Sequence, residues 1–183
     1  MALTKLNNRS GITASSLGAL TSVDTGDLPA GSVVQVVHYN EKVNVVGTGN
    51  FDCFSANITP TSTSNKIIIT VHFQFSQEDS GGGEYGFILK RNGSEIVTNS
   101  QTYGLLVPGI AVDNHGWQHE WRNYFRSAEA EDTPNTTSQV TYTLAKKQVS
   151  STCNVRVGQC GYVSSGSENM WGQSMMTLTE IKA

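Results

Sequence analysis

The stretch KIIITVHFQFS, at residues 66–76, alternates apolar and polar side chains and is the clearest strand in the chain. Its apolar side chains recur at every second position and face one way: Ile67, Ile69, Val71, Phe73 and Phe75. Burying these side chains alone does not offset the conformational entropy lost when the strand is fixed. The strand therefore needs a second sheet across from its apolar face, which is the arrangement of a β-sandwich.

Further strand-like segments follow one another at short spacing, with turn residues between them. They are SVVQVVHY (32–39), NFDCFSANI (50–58), YGFILKRNGSEIV (85–97), QVTYTLAKK (139–147), CNVRVGQCGYV (153–163) and SMMTLTEI (174–181). In the third of these, Asn92-Gly93 supplies the two positive-φ positions of a type I′ hairpin turn. The pattern contains no strong helix and predicts an all-β fold, an antiparallel two-sheet sandwich of jelly-roll type.

Two regions of different character divide the 183 residues. Residues 1–31 contain no aromatic side chain and too few apolar ones to build a core. We interpret this region as an extended N-terminal attachment arm and residues 32–183 as the sandwich domain. The apolar positions expected to dock the arm are Leu3, Leu6, Ile12, Leu17 and Leu20.

Composition argues against several functional classes. The net charge is −3 with 12 Lys and Arg residues and no basic run, which disfavours nucleic-acid binding. No apolar stretch reaches the roughly 18 residues of a membrane helix, and the first residues lack the apolar core of a signal peptide. The three cysteines, Cys53, Cys153 and Cys160, form no C-x-x-C pair. Reduced thiols are favoured, and a single bridge from Cys53 to either of the others is the alternative.

Motifs for metal, phosphate or covalent chemistry are incomplete. DNHGWQHEW places His115, His119 and Glu120 close together but lacks the order H-E-x-x-H of a zinc protease. SQEDSGGGEYG (76–86) is glycine-rich, yet no Lys-Ser or Lys-Thr follows it, and it lacks the alternating acids of a calcium loop. GQCGY around Cys160 has no base at an interpretable spacing. We therefore predict no catalytic, cofactor-binding or metal-binding residue.

The segment SAEAEDTPN contains three acids, Glu129, Glu131 and Asp132, and a pair of carboxyl groups is what glycoside hydrolysis requires. Adjacent acids in a turn are more often solvated, and that interpretation is favoured here. Asp132 is expected to cap its own turn, and Pro134 to anchor the corner before the next strand.

Aromatic side chains cluster just before that corner. Aromatic residues in loops serve carbohydrate and protein recognition, so this region is the candidate receptor- or partner-binding loop. Its residues are His115, Trp117, His119, Trp121, Tyr124 and Phe125. A core or subunit interface is the favoured alternative for these aromatics.

Several stretches, in order, resemble a family of short tail-fibre and appendage proteins of marine bacteriophages, especially those of cyanobacteria. They are MALTKLNNRSGIT (1–13), PAGSVVQVV (29–37), ITPTSTSNKIIITV (58–71), LKRNGSEI (89–96), EDTPNTTSQVTYTL (131–144) and SMMTLTEIKA (174–183). NHGWQHEWRNYFRS (114–127) and SGGGEYG (80–86) match no part of the family pattern, so individual binding specificity is expected there.

The resemblance implies a virion structural protein, a homotrimer without cofactor or enzymatic residues, on the exterior of tail or capsid. Its partners would be its own copies, other virion proteins through the arm, and a host surface glycan or protein. We expect a tail fibre or host-adhesion appendage. The alternatives are a capsid decoration or head fibre protein, and a glycan-binding or glycan-degrading module.

Overall fold

The computed structural model describes residues 28–78, 84–96, 107–108, 121–150, 154–160 and 170–183. Every regular element within these ranges is a β-strand. The strands are β1 (Val33–Glu41), β2 (Val45–Gly47), β3 (Phe51–Ile58), β4 (Lys66–Glu78), β5 (Glu84–Arg91), β6 (Ser94–Glu95), β7 (Val107–Pro108), β8 (Trp121–Asp132), β9 (Val140–Ser150), β10 (Val155–Val157), β11 (Gln159–Cys160), β12 (Met170–Trp171) and β13 (Ser174–Ile181). The predicted all-β class is confirmed.

Two antiparallel sheets make up the sandwich. In the first, called sheet A, β4 is central: β8 pairs along one edge, while β13 and β10 follow each other along the other. Strands β1 and β2 extend sheet A beyond β13 and β10. The second, called sheet B, has the order β3-β9-β5, with β6 and β7 both pairing with β5. Strands β11 and β12 form a separate two-stranded ladder.

The pairing of the main strands is nested along the chain. The pairs are β1 with β13, β3 with β9, β4 with β8, and β5 with β7. Along the chain, the β1–β13 pair encloses β3–β9, which encloses β4–β8, which in turn encloses β5–β7. This nesting is that of one long antiparallel ribbon wrapped into two sheets, which is a jelly roll.

The alternation of the chain places the core between the sheets. All five predicted apolar side chains of β4 are buried. Facing them from sheet B are the buried side chains Tyr85, Phe87, Leu89, Val140, Tyr142 and Leu144. The Phe87 ring lies 4.7 Å from Phe73 and 4.9 Å from Phe75, so aromatic packing joins the two sheets at the centre.

Four features singled out in the sequence can be compared with the structure. Asn92 and Gly93 have φ values of 50° and 83°, as the hairpin prediction requires. Cys53 is a buried free thiol. The two strands that flank the glycine-rich segment 76–86 extend into it, because β4 continues to Glu78 and β5 begins at Glu84. The acids of SAEAEDTPN lie in β8 rather than in a turn.

The described residues begin at Leu28, within the last four residues of the predicted arm. Gly31 N donates to Lys182 O at 2.8 Å, and Lys182 N donates to Ser32 O at 2.9 Å. The Lys182 ammonium also donates to the carbonyl of Leu28. Residues 28–32 are therefore fastened to the end of β13. The five predicted docking positions of the arm, from Leu3 to Leu20, lie outside the described residues.

Candidate functional site

The predicted binding loop is only partly described. His115, Trp117 and His119 lie outside the described residues. Trp121, Tyr124 and Phe125 lie in strand β8, which differs from the loop predicted there. Because neighbouring strand residues point to opposite faces, β8 separates the last two side chains.

Tyr124 and Phe125 have opposite environments. The Tyr124 ring packs toward the core, 5.1 Å from the Phe75 ring. Phe125 points away from sheet B and is 71 % exposed. The favoured core interpretation therefore holds for Tyr124, whereas the Phe125 ring is available for contact with another molecule.

A groove runs beside Phe125 on the outer surface of sheet A. It is lined by His72, Phe73, Phe125, Arg126, Ser127, Gln173 and Met175. The strand register brings these residues together, because His72 is paired with Ser127 on one side and with Met175 on the other. The groove combines the exposed Phe125 ring and the Met175 thioether with imidazole, hydroxyl and amide groups.

The Arg126 guanidinium lies on the Tyr124 side of β8, where its own neighbours hold it. Its Nη1 donates to the Phe125 carbonyl at 3.0 Å, and its guanidinium lies 5.6 Å from the centre of the Tyr124 ring. This contact is within the range of a cation–π interaction. The groove itself offers the planar apolar contact of Phe125 bordered by the polar side chains His72, Ser127 and Gln173, an arrangement suited to a ligand with one apolar and one polar side.

The three acids considered for glycoside hydrolysis do not converge. Glu129 and Glu131 point outward, where Glu131 pairs with Lys66 at 2.8 Å and Glu129 accepts from Thr70 at 3.4 Å. Asp132 has the opposite parity on β8, and its carboxylate is engaged at the end of the core.

Asp132 joins the two sheets. Its oxygens accept from Arg91 Nη1 at 2.9 and 3.0 Å, and Oδ2 accepts from the Tyr142 hydroxyl at 2.7 Å. Arg91 and Tyr142 belong to sheet B, whereas Asp132 belongs to sheet A. Burial and the hydrogen bond to the nearby carboxylate raise the pKa of Tyr142. Asp132 was predicted to cap its own turn, but its carboxylate instead binds Arg91 and Tyr142 of the other sheet. We call this link between the two sheets the clamp.

Glu180 forms a second polar centre and is fully buried on β13. Its Oε1 accepts from Thr61 N at 2.8 Å, Thr61 Oγ1 at 2.9 Å and Asn65 Nδ2 at 2.7 Å. Its Oε2 accepts from Gln35 Nε2 at 2.5 Å. Burial by itself raises the pKa of Glu180, but the hydrogen bonds outweigh it and lower that pKa below its ordinary value. A carboxylate thus holds the corner between β3 and β4.

Lys146 is a third polar group inside the sandwich. Its ammonium donates to the carbonyls of Thr48 and Gly49 at 2.9 and 3.1 Å. It also lies 5.7 Å from the Phe51 ring and 5.4 Å from the Tyr85 ring. These contacts satisfy a buried charge by carbonyl dipoles and aromatic faces. In the sequence, Lys146 lies near the end of the predicted strand QVTYTLAKK, and no local pattern there indicates a buried charge.

Among the described ranges, no group of three or more His, Cys, Asp or Glu side chains could hold a metal ion. In the same part of the chain, no helix is long and apolar enough to cross a membrane.

Comparison with known proteins assigns no family. No protein-family model matches the sequence, and no curated protein matches it. Among the solved structures that match is the one titled "Crystal structure of infectious bursal disease virus VP2 subviral particle". That match has a TM-score of 0.31 and 10 % sequence identity, and it covers 83 % of this chain and 38 % of the other.

Proposed function

We propose that this chain is a non-enzymatic structural protein of a bacteriophage virion. In this proposal it is a tail fibre or host-adhesion appendage, anchored by its N-terminal arm and located on the exterior of the particle. It assembles as a homotrimer and contacts other virion proteins through the arm.

The contacts among the stretches that resemble the appendage family carry the proposal. Glu180, in SMMTLTEIKA, binds Thr61 and Asn65, in ITPTSTSNKIIITV. Asp132 and Tyr142, both in EDTPNTTSQVTYTL, bind each other, and Asp132 also binds Arg91 in LKRNGSEI. Four stretches that are far apart in sequence thus meet in two hydrogen-bonded centres. The occurrence of these four stretches in one chain is explained if their contacts hold together one type of β-sandwich.

The stretch at residues 114–127, which lies outside the family pattern, reaches the outer surface of sheet A instead of these two centres. Residues 114–127 end on β8, where Phe125 is exposed beside the groove. An adhesion protein is expected to combine a scaffold that it shares with its family and a binding surface that is its own. The binding surface can then change while the scaffold stays the same. We propose a host surface glycan or protein as the partner of this individual region.

The attachment role of the arm rests on its composition and on the place where it joins the sandwich. Residues 28–32 are bonded to the end of β13, so the preceding residues leave from one end of the domain. A segment with scattered apolar residues and no core of its own becomes ordered by binding to a partner. A capsid decoration protein would use the same fold and arm with a different docking site.

The test is incorporation into virus particles. Tagged full-length protein and a variant lacking residues 1–27 are supplied during infection, and gradient-purified particles are probed for the tag. The deletion stops before Gly31 so that its bond to Lys182 is kept. We expect the full-length chain in particles and the shortened chain, with unchanged circular dichroism, only in the soluble fraction. Incorporation of the shortened chain would contradict the role of the arm, and absence of both would contradict a virion protein.

A further inference from the structure

The polar side chains on the outer surface of sheet A differ in whether they already have partners. Away from the groove they form cross-strand pairs, which are Lys66 with Glu131 at 2.8 Å, Thr70 with Glu129 at 3.4 Å and His38 with Thr177 at 2.9 Å. Around the exposed Phe125 ring, the described part of the chain makes no hydrogen bond to the side chains of His72, Ser127 and Gln173. Side chains that remain available to a ligand therefore border the exposed ring.

Gln74 adds a buried polar group next to the groove. It follows His72 on the same side of β4, is paired with Phe125 on β8, and is only 2 % exposed. Gly172 lies against it so closely that a Cβ there would be 1.9 Å from Gln74 Oε1. The Nε2 donor of Gln74 has no hydrogen-bond partner among the described residues. Because a buried amide donor favours an acceptor, this border of the groove suits a ligand rich in oxygen atoms.

The described lining of the groove offers no fixed charge to a ligand. It contains no carboxylate and no lysine, and the guanidinium of its arginine, Arg126, lies over Tyr124 on the other side of β8. A charged ligand would lose hydration in the groove without gaining an opposite charge. The lining therefore favours a neutral ligand with several hydroxyl groups.

The size of the groove favours a small ligand over a protein surface. Its volume is about 500 Å³, within the range of roughly 300–1,000 Å³ that is usual for small-ligand sites. Phe125 and Met175 supply its apolar contact. A protein partner would instead need about 800 Å² of contact around an apolar centre. The cross-strand polar pairs of sheet A interrupt the surface before such an area is reached.

We propose that this groove binds a neutral glycan, with a hexopyranose ring stacked on Phe125. The inference rests on the host-adhesion role in the proposed function and names the class of ligand at that site. One face of a hexopyranose ring carries C–H groups that pack against an aromatic ring, and its hydroxyls lie around the edge. Stacking on Phe125 thus places hydroxyls toward the side chains of His72 and Gln173, which donate and accept hydrogen bonds.

The test follows methionine methyl resonances by NMR while sugars are titrated into the full chain. The probes are the methyl glycosides of glucose, galactose and mannose. Sorbitol is the control compound, because it has the hydroxyls of a hexose but no rigid ring. Met175 reports on the groove, whereas the buried Met176, on the opposite side of β13, reports on the core. The Met175 signal is assigned by its loss in M175L.

We expect at least one of the glycosides to shift the Met175 signal in a saturable way while the Met176 signal stays in place, and sorbitol to shift neither. F125A should weaken binding about tenfold or more, because it removes the stacking surface. V36A is the matched control, since Val36 is an exposed apolar residue of sheet A outside the groove, and it should leave the affinity unchanged. A Met176 signal at its original position shows that each variant is folded.

The outcomes that contradict the inference are distinct from failure of the proposed function. Absence of a saturable Met175 shift with all three glycosides would overturn the glycan as the ligand. Binding that F125A leaves intact, or that sorbitol reproduces, would overturn stacking on Phe125. The virion role is tested separately by the particle-incorporation assay, whose result does not depend on sugar binding.

Discussion

Replacement of Glu180 by Gln tests the centre that holds the β3–β4 corner. The substitution keeps the shape of the side chain but leaves one oxygen acceptor in place of two. A Gln carbonyl at the Oε1 position keeps the three bonds from Thr61 and Asn65. The amide nitrogen at the Oε2 position then faces the Gln35 amide, whose Nε2 also donates to Thr59 O at 2.7 Å. Rotating the Gln35 amide would repair the first contact and break the second.

The expected cost follows from these contacts. Loss of one hydrogen bond to a charged acceptor costs about 1.5–3 kcal/mol. The three retained bonds weaken because a carboxylate accepts about twice as strongly as an amide. Relief of the desolvation of the charge offsets part of this loss. We therefore expect E180Q to reduce the free energy of unfolding by about 2–4 kcal/mol at pH 7.

The cost depends on pH with a definite sign. The pKa of Glu180 is lower in the folded than in the unfolded chain, so the unfolded chain binds the proton first as the pH falls. The stabilisation is therefore complete above the unfolded pKa of about 4.3 and is lost as the pH falls through the folded pKa. The difference in stability between the unchanged chain and E180Q should shrink below about pH 5.

Urea unfolding followed by circular dichroism at several pH values measures both effects. E41Q is the matched control, because Glu41 is an exposed acid whose contact with Tyr39 an amide oxygen can keep. The control should change stability by less than about 0.5 kcal/mol. A loss below about 1 kcal/mol for E180Q at pH 7, or parallel pH profiles for E180Q and the unchanged chain, would refute the reasoning.

Three further measurements test other parts of the structure. Y142F removes the hydroxyl that donates to Asp132 and should lower the unfolding free energy by about 1–2 kcal/mol in urea titrations, and no change would argue against the clamp. Gly158 and Gly31 both have positive φ, but a Cβ at Gly158 would lie 1.9 Å from a backbone oxygen, whereas nothing lies within 4 Å at Gly31. G158A should therefore lower the melting temperature well beyond the effect of G31A, and equal effects would contradict the close approach. Burial raises the pKa of Cys53 to about 12, so peptide mapping after alkylation at pH 8 should find Cys53 modified only in unfolded protein; labelling in the folded chain would contradict its burial.

Strands with regular alternation could be predicted from the sequence. In β4 and β9 the apolar positions of the pattern are all buried, although polar side chains predicted to face outward, such as Gln74 and Thr143, are buried as well. The sequence predicts a binding loop and a solvated turn where the structure has strand β8. Its Ala and Glu residues have low strand propensity and give no local strand signal. Its pairing with β4 over twelve residues decides its conformation, and the small side chains Ala128 and Ala130 lie beside Val71 and Ile69. Tertiary pairing therefore overrides local preference at β8.

The polar centres and the groove could not be predicted from local patterns. Glu180 lies 119 residues from Thr61 and 115 from Asn65, so no short motif contains the contact. The groove likewise depends on the register that places His72 between Ser127 and Met175. Alternation along β4 was sufficient to place His72 on the outer side. Its neighbours there follow only from the strand order.

An image of labelled virus particles tests the proposed function most directly. Under the proposed function, purified phage particles would be treated with antibody fragments raised against residues 32–183 and viewed by electron microscopy. We predict label on the exterior of the particle, at the tail or its appendages. Label over the capsid shell would favour the decoration protein over the fibre, and particles without label, from a lysate in which the chain is abundant, would contradict a virion protein.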